Sequence, residues 1–443
     1  GRVEAVHRRP AAMREGVPRG VPEQKGVPGT GFVVDGFKAA GNVAGATAFF
    51  LTHAHGDHYG GIERWNREFY CSTVTAALVC GKFGLDPTLA TTIDPGQTVE
   101  VLGVAVTAVD ANHCPGAVQF LFEVPGWGKV IHSGDCRYTD KWKADPHLRR
   151  FRGATALYLD TTYCHPKHKF PPQEDAIQYV VSTILQREAE AEARGKQLFL
   201  ISSYNIGKER IFMAVATATG KKLYADAKKR AHLERLGMAE LTAALTDDPA
   251  GTNIHLVPWG EVGEVWPFFR PNFVNLEKYR LEHGAEEASG FVPSGWAYEG
   301  KGSGFSFREK GPDRVHLVPY SEHSSYDELR EYVSWIRPER VVPTVGLGKE
   351  GVGGKEAAKM LAHFVNLVDE KASKRRFLSA FGGAVVKQED GAEDAAAAAE
   401  AAAKKKKATP TAVGGPVDGP CHRLMAATGL TSLLEAEALL ERG

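Results

Sequence analysis

The chain has 443 residues, 43% of them hydrophobic, which is material for two substantial buried cores. Its 54 basic and 54 acidic residues cancel, which excludes a global basic field and leaves nucleic acid only a local groove. Six cysteines (Cys71, Cys80, Cys114, Cys136, Cys164, Cys421) form no Cys-x-x-Cys pair. No apolar run is long enough to span a membrane and no secretory leader is evident, so a reduced intracellular compartment is expected.

In chain order, residues 1–25 are polar and rich in Arg, Pro and Gly, and read as disordered. From residue 26 to 163, short Val-, Phe- and Leu-rich strands alternate with turns. The apolar run Ala48-Phe49-Phe50-Leu51 reads as a strand that ends in Thr52-His53-Ala54-His55-Gly56-Asp57-His58. Two imidazoles one residue apart project to the same side of an extended segment, and Asp57 and His58 follow in the turn. Four candidate ligands thus converge on one small volume. Imidazole suits zinc, and a carboxylate beside it can hold a second divalent ion or its bridging water. The plain alternative is a polar loop that happens to hold histidines, but the strand-end setting favours a metal site. A helix over residues 59–65, pinned by its first turn at the metal, is expected next.

Further strands deliver further ligand types. Residues 106–110 read as a strand closed by Asn112-His113-Cys114-Pro115-Gly116, and residues 129–132 lead into Ser133-Gly134-Asp135. Residues 157–159 end at Asp160, and residues 315–320 lead to Ser321-Glu322-His323. Singly these are weak, because acidic and imidazole side chains are common in loops. Together they repeat one pattern, and they supply the donors that two metal ions about 3.5–4 Å apart require. After Cys164 the character changes. Residues 173–194 are helical in pattern, with Ala176, Ile177, Val180, Val181 and Ile184 on one face. Residues 198–202 read as a buried strand, and Asn205-Ile206-Gly207-Lys208-Glu209 opens a helix over 210–218. Such units, to about residue 310, indicate an α/β lobe inserted between Asp160 and His323. Both its hinges would then sit at the metal site, so a substrate held by the lobe is presented to the metals. A helix over 326–336 and a strand over 340–343 follow.

His53, His55, Asp57, His58, His113, Asp135 and His323 match the metal signature of the metallo-β-lactamase fold. Nine segments narrow the match: PGTGFVVDGFKAAG, FLTHAHGDHYGGI, DANHCPGAVQFLF, HSGDCRYTD, LYLDTTYC, SYNIGKER, PSGWAY, VPYSEHSSYDEL and VVPTVG. From about residue 28 to about 368, in the same order, they resemble the DNA interstrand cross-link repair nucleases, the Artemis-related β-CASP branch of that fold, and point to a plant or algal member. The resemblance implies an αββα metallo-β-lactamase sandwich with an inserted β-CASP α/β lobe. It implies a 5′→3′ DNA exonuclease with two divalent metal ions, zinc first, with magnesium or manganese as candidates for the second site.

One ion is then assigned to His53, His55 and His113, the other to Asp57, His58 and His323, with Asp135 bridging. Catalysis is assigned to Asp57, His58, Asp135, Asp160 and His323, with Asp160 orienting His323 or another ligand. The alternative for Asp160 is a strand-end cap on the Thr161 and Thr162 amides. The implied substrate is DNA with a 5′-phosphate end. Thr162, Tyr163, Ser324 and Ser325 offer hydroxyls to that phosphate, and Ser294 stands where the family has threonine. Lys208, at an expected helix N-terminus, offers charge. Ser324 and Ser325 equally well cap the helix at Tyr326 with Glu328, and both readings stand.

Val345, in Pro343-Thr344-Val345-Gly346, matches the valine of the DNA branch, whereas RNA-processing endonucleases of this fold carry histidine there. An RNA endonuclease is therefore the rival within the fold. A non-catalytic repair scaffold is the rival outside enzymes, but degenerate relatives lose ligands and all seven stand here. Val292 replaces a family arginine, Gly346 replaces a family asparagine, and nothing before Gly26 could form the N-terminal zinc finger of many relatives.

The expected organisation is metallo-β-lactamase portions at 26–163 and 315–386 around a β-CASP insertion at 164–314. Residues 387–418 form a low-complexity linker. Residues 419–443 form a short helical segment, either a module for repair proteins or the start of a further domain such as the ligase fused to some plant relatives. The Gly-rich stretch 348–354 lacks P-loop intervals and reads as a loop. Lys404 to Lys407 reads as a nuclear import signal or as a helix C-terminus. The expectation is a nuclear monomer.

Overall fold

The computed structural model describes residues 17–372, apart from 41–42, 266–267, 297–304 and 370. The chain divides after Leu378, and all described residues lie before that point. The linker, the lysine run, Cys421 and the segment 419–443 lie outside the described residues.

Two sheets stack face to face, and side-chain alternation decides what lies between them. The first has four parallel strands in the order Phe32–Val34, Ala48–Phe50, Phe69–Cys71, Ala90–Thr92. The second has six, in the order Val341–Pro343, Ala156–Leu159, Gly128–His132, Val118–Val124, Val104–Asp110, Thr98–Val101. Successive residues of a strand face opposite sides. Phe32, Val34, Phe50, Phe120, Phe122, Val130 and Tyr158 therefore meet between the sheets. Val33, Phe49, Leu51 and Phe69 face outward under Phe37, Trp65 and the helix Thr73–Phe83. On the far side, Leu121, Ile131, Leu157 and Leu159 pack against Leu329, Tyr332, Val333 and Ile336 of the helix Tyr326–Ile336. The result is the αββα sandwich. Each fully buried phenylalanine contributes roughly 1.5–3 kcal/mol of burial.

A third sheet of seven strands belongs to the inserted lobe. Its order is Leu245–Thr246, Leu223–Tyr224, Ile254–Pro258, Gln197–Ser203, Glu287–Pro293, Asp313–Val318, Ser306–Lys310. All are parallel except the last, which pairs antiparallel at the edge. The helix Gln173–Ala189 covers one face through Ala176, Val180, Val181 and Ile184. Helix Phe273–Glu282 covers the other through Leu276.

Four expectations are corrected. Residues 17–25 are not disordered: Val21 is buried, Glu23–Lys25 forms a 3-10 turn, and Lys25 Nζ donates to the Asp35 carbonyl. The helix over 59–65 is only a 3-10 turn, Ile62–Arg64, because Gly60 and Gly61 interrupt it and Gly61 sits at φ +99°. The helix over 173–194 ends at Ala189 and restarts as Ala191–Arg194. Finally, Asp313–Val318 hydrogen-bonds to the lobe strand Glu287–Pro293, so the chain leaves the lobe after Val318 rather than at residue 314. No described helix is long and apolar enough to cross a membrane.

Candidate metal centre

The cluster is assembled where parallel strands stop. Strand Phe32–Val34 ends at Asp35, which adopts φ +51° and turns its carboxylate toward the neighbouring strand's end. Thr52 donates to it twice, from N to Oδ1 and from Oγ1 to Oδ2, both at 2.8 Å. His53 follows, fully buried. The turn is closed by His58 N donating to the His55 carbonyl at 3.2 Å. His113 arrives after Val104–Asp110 through a turn in which Asn112, at φ +50°, donates from Nδ2 to the Arg137 carbonyl. Asp135 follows Gly134, at φ +54°, where a Cβ would lie 2.8 Å from Thr52 Cβ. Only glycine brings the two strand ends that close.

The donor atoms converge in three overlapping groups, each within 4.8 Å: His53, His55, His113 and Asp135; Asp57, His58 and Asp135; and Asp135, Asp160 and His323. Asp135 belongs to all three. Its Oδ2 lies 3.2 Å from His58 Nε2, 3.7 Å from His53 Nε2 and 4.0 Å from His113 Nε2. Asp57 Oδ2 lies 3.6 Å from His58 Nε2. His323, expected beside Asp57 and His58, groups instead with Asp160, whose Oδ2 accepts from its Nδ1 at 2.8 Å.

Four of the rings are held through the nitrogen that faces away from the centre. His58 Nδ1 donates to Asp35 Oδ2 at 2.8 Å, and His113 Nδ1 donates to the Glu322 carbonyl at 2.7 Å. Because the Thr52 hydroxyl hydrogen is given to Asp35, His53 Nδ1 is the donor in its 3.0 Å contact with Thr52 Oγ1. The Nε2 atoms of His53 and His113 therefore present lone pairs, and both point at His55 Nδ1, at 2.9 and 3.0 Å. One ring proton can satisfy only one of them. A shared cation satisfies all three nitrogens, so this donor set fits a metal ion.

The electrostatics agree. Burial and neighbouring imidazoles hold His53 well below the usual histidine range, and burial with His323 and His55 holds His113 at about 3. Neutral imidazoles are ready ligands. Burial opposes protonation of His58, yet Asp135 and Asp35 raise it well above the usual value. His323 is likewise raised to about 9 by Asp160 against burial. Asp135, despite burial, is held well below the carboxylate range by His58. The same negative field that favours a proton at these positions favours a cation.

The residues expected to hold a terminal phosphate are placed otherwise. Ser324 Oγ is buried, donating to the Cys136 carbonyl and accepting from Tyr138 N. Ser325 caps the helix Tyr326–Ile336 in a reciprocal capping box with Glu328. Lys208 Nζ is buried against Glu322 Oε2 at 2.6 Å, and Glu322 Oε1 accepts Lys208 N. Its charge is neutralised inside the fold. Thr162 donates from N and Oγ1 to Asp160 Oδ1, so Asp160 both caps its strand and orients His323. Ser294 Oγ accepts from Trp296 N. Tyr163 is buried, its ring 5.9 Å from that of His323. Val345 is half-buried, and its backbone N and O both bond to Thr161 Oγ1.

Sequence reasoning missed two groups. Asp35 and the Glu322 carbonyl orient His58 and His113, and their only sequence signals were the words VVDG and SEHSS. It also missed the cations of the cleft. A cavity of about 700 Å³ opens beside His55 and Asp57, walled by Lys82 on one side and Lys228, Lys229 and Arg235 on the other.

Residues 28–189 match the family described as beta-lactamase superfamily domain, and residues 239–349 the family described as DNA repair metallo-beta-lactamase. The chain is 43% identical over 367 residues to DNA ligase 6 of Arabidopsis thaliana, covering 82% of this chain and 26% of that protein. It is 36% identical over 357 residues to DNA cross-link repair protein SNM1 of the same plant, covering 79% and 71%. It is 30% identical over 321 residues to 5′ exonuclease Apollo of Gallus gallus, covering 72% and 63%. The chain thus spans about a quarter of the ligase and under two thirds of Apollo. With SNM1 matched along most of both chains and the DNA repair metallo-beta-lactamase family matched over residues 239–349, this chain belongs to the DNA-repair β-CASP family of the metallo-β-lactamase fold.

Proposed function

We propose that this chain is a metal-dependent 5′→3′ DNA exonuclease that hydrolyses phosphodiester bonds from a 5′-phosphorylated end. We place it in cross-link or double-strand-break repair in the nucleus, acting as a monomer. The observation that carries this reading is the clustering of the seven donors in overlapping groups around Asp135, with His55 and Asp57 lining a cavity that also holds Lys82, Lys228 and Arg235. Among its relatives are a DNA cross-link repair protein and a 5′ exonuclease, and they support the substrate and polarity proposed.

His53, His55 and His113 with Asp135 would hold one ion, and Asp57 and His58 with Asp135 the other, with His323 closing the site beside Asp135. The imidazole-rich group suits zinc, and the group with two carboxylates accepts a harder ion such as magnesium or manganese. Divalent ions bound there supply Lewis acidity and lower the pKa of a water toward neutrality. The residues do the rest. Asp35, Thr52, Asp160 and the Glu322 carbonyl fix the ring orientations, and exposed Lys82, Lys228 and Arg235 attract the phosphodiester chain. With Ser324, Ser325 and Lys208 engaged internally, recognition of the terminal phosphate passes to these cleft cations.

The test is digestion of 3′-labelled single-stranded DNA bearing a 5′-phosphate or a 5′-hydroxyl, beside matched RNA, with a chelator control. Chelator-sensitive shortening of the phosphorylated DNA, with RNA spared, is expected. Internal cutting of RNA would instead assign the RNA-processing reading.

A further inference from the structure

Tyr204 belongs to no core and Trp259 is half-buried at the margin of one, and their position follows from strand register. Strands Gln197–Ser203 and Ile254–Pro258 are parallel, with Ser203 opposite Pro258. The next residue of each, Tyr204 and Trp259, therefore emerges side by side at the carboxyl edge of the lobe's sheet. Their rings stack at 4.5 Å with an interplanar angle of 18°. Strand Glu287–Pro293 ends on the same edge and leads through Ser294 and Gly295 to Trp296. Tyr204 remains 51% exposed and Trp296 43% exposed.

The topology makes a crevice between them. After Gln197–Ser203 the chain passes to one face of the sheet, where Ile211 and Phe212 of the next helix are buried. Before Glu287–Pro293 it runs along the other face, where Leu276 is buried. Chain segments that leave a parallel sheet toward opposite faces open a ligand crevice at the carboxyl ends of its strands. Here that crevice is a cavity of about 580 Å³ lined by Tyr204, Trp259 and Trp296 with Gly260, Glu264 and Val265.

Rings lead from this slot to the metal centre. Trp296 lies edge-on to Tyr163 at 5.7 Å, and Tyr163 lies 5.9 Å from His323. A Cβ on Gly295 would strike the Tyr163 hydroxyl, so only glycine lets this contact form. On its other side Tyr204 also lines the basic cavity that holds His55, Asp57, Lys82 and Lys228. Trp259 lines both cavities as well, so the slot and the cationic wall meet at the stacked pair.

We propose that Tyr204, Trp259 and Trp296 form a slot that takes a nucleobase of a single-stranded DNA substrate by stacking, while the adjacent lysines hold its phosphates. The proposal rests on the nuclease reading and adds the form of the strand. A base paired within a duplex is already stacked on both faces and cannot fill such a slot. Stacking is also blind to sequence, since every base has a π-face, which suits an enzyme that must move along any strand.

The test is fluorescence anisotropy with metal-loaded full-length chain and a 5′-phosphorylated, phosphorothioate-linked single strand. A single abasic residue is walked along the strand. At one or two positions near the 5′ end the abasic residue is expected to raise Kd about ten-fold. Tyr204→Ala and Trp259→Ala should raise Kd for the intact strand similarly and erase the position dependence. Tyr204→Phe and Trp259→Phe, which keep a stacking ring, should bind like the parent. Tight binding that tolerates an abasic residue everywhere, or alanine variants that bind like the parent, would overturn the slot and leave the nuclease reading standing. Absence of any DNA binding by the parent chain would overturn both.

Discussion

Asp35 is the residue on which the orientation of His58 depends, since its Oδ2 accepts both His58 Nδ1 and the Thr52 hydroxyl. Asp35→Asn preserves the size and the tolerance of φ +51° but removes the charge. It is expected to weaken metal binding about 10–100-fold, read by metal titration; unchanged affinity would place His58 outside the centre. Asp57 is the opposite case, with its side chain 80% exposed. Asp57→Ala should change folding stability by less than about 0.5 kcal/mol in a urea melt while abolishing hydrolysis. The two also differ in legibility. Asp57 stands inside the histidine run and announces itself, whereas Asp35 meets partners 17 and 23 residues further on, and only the short word VVDG surrounds it. The partner of Lys208 was hidden for the same reason. Its charge looked free because Glu322, which neutralises it, lies 114 residues away.

Elements whose character is set by local alternation were legible. Strand Ala48–Phe50 and helix Tyr326–Ile336 fall where apolar periodicity and the Ser325–Glu328 pair put them. The segment after His58 was not, because its backbone follows the ligands rather than any helical preference, and two glycines release it. Strand Asp313–Val318 carries a different liability. His316 on it is buried, stacked on Phe291 at 4.9 Å, with Tyr179 Oη at 2.9 Å from its Nδ1 and no partner for Nε2. Burial, then Arg314 and Arg187, lower its pKa from 6.5 to about 4. Above pH 6.5 the ring is neutral in both folded and unfolded chains. Below it the unfolded chain takes up the proton first, so stability is lost between pH 6.5 and pH 4, to a limit of about 3 kcal/mol. His316→Phe should flatten this acid branch in urea melts taken across that range, and an unchanged slope would assign it to other groups.

At the scale of the molecule, one side chain ties both crossings between sandwich and lobe. Arg137 donates from Nη1 to the Ser321 carbonyl at 2.8 Å and from Nη2 to the Pro171 carbonyl at 2.9 Å, and it pairs with Glu328 at 3.0 Å. Arg137→Ala leaves the buried Ser321 carbonyl without this donor and removes the tie between the two crossings. A loss of about 3 kcal/mol in stability is expected, with kcat/KM for DNA reduced and metal content unchanged. Metal loss equal to the loss of activity would instead make Arg137 part of the ligand support. The existence of the lobe was legible from the change in character after Cys164. Its end was not, because the apolar alternation of Asp313–Val318 suits either sheet and only its hydrogen-bonded neighbour decides between them.

The bond from His113 Nδ1 to the Glu322 carbonyl spans 209 positions of the chain, and the Lys208 that grips the Glu322 side chain belongs to the lobe in between. During synthesis, therefore, a chain halted between Asp135 and Glu322 holds six of the seven donors but neither the last one nor the carbonyl that aims His113. Completion of the centre waits on a contact between residues far apart in the chain, the kind formed late in folding. The histidine that Asp160 orients and the carbonyl that aims His113 arrive only after the lobe, so the finished geometry of the centre reports that the lobe has already been built.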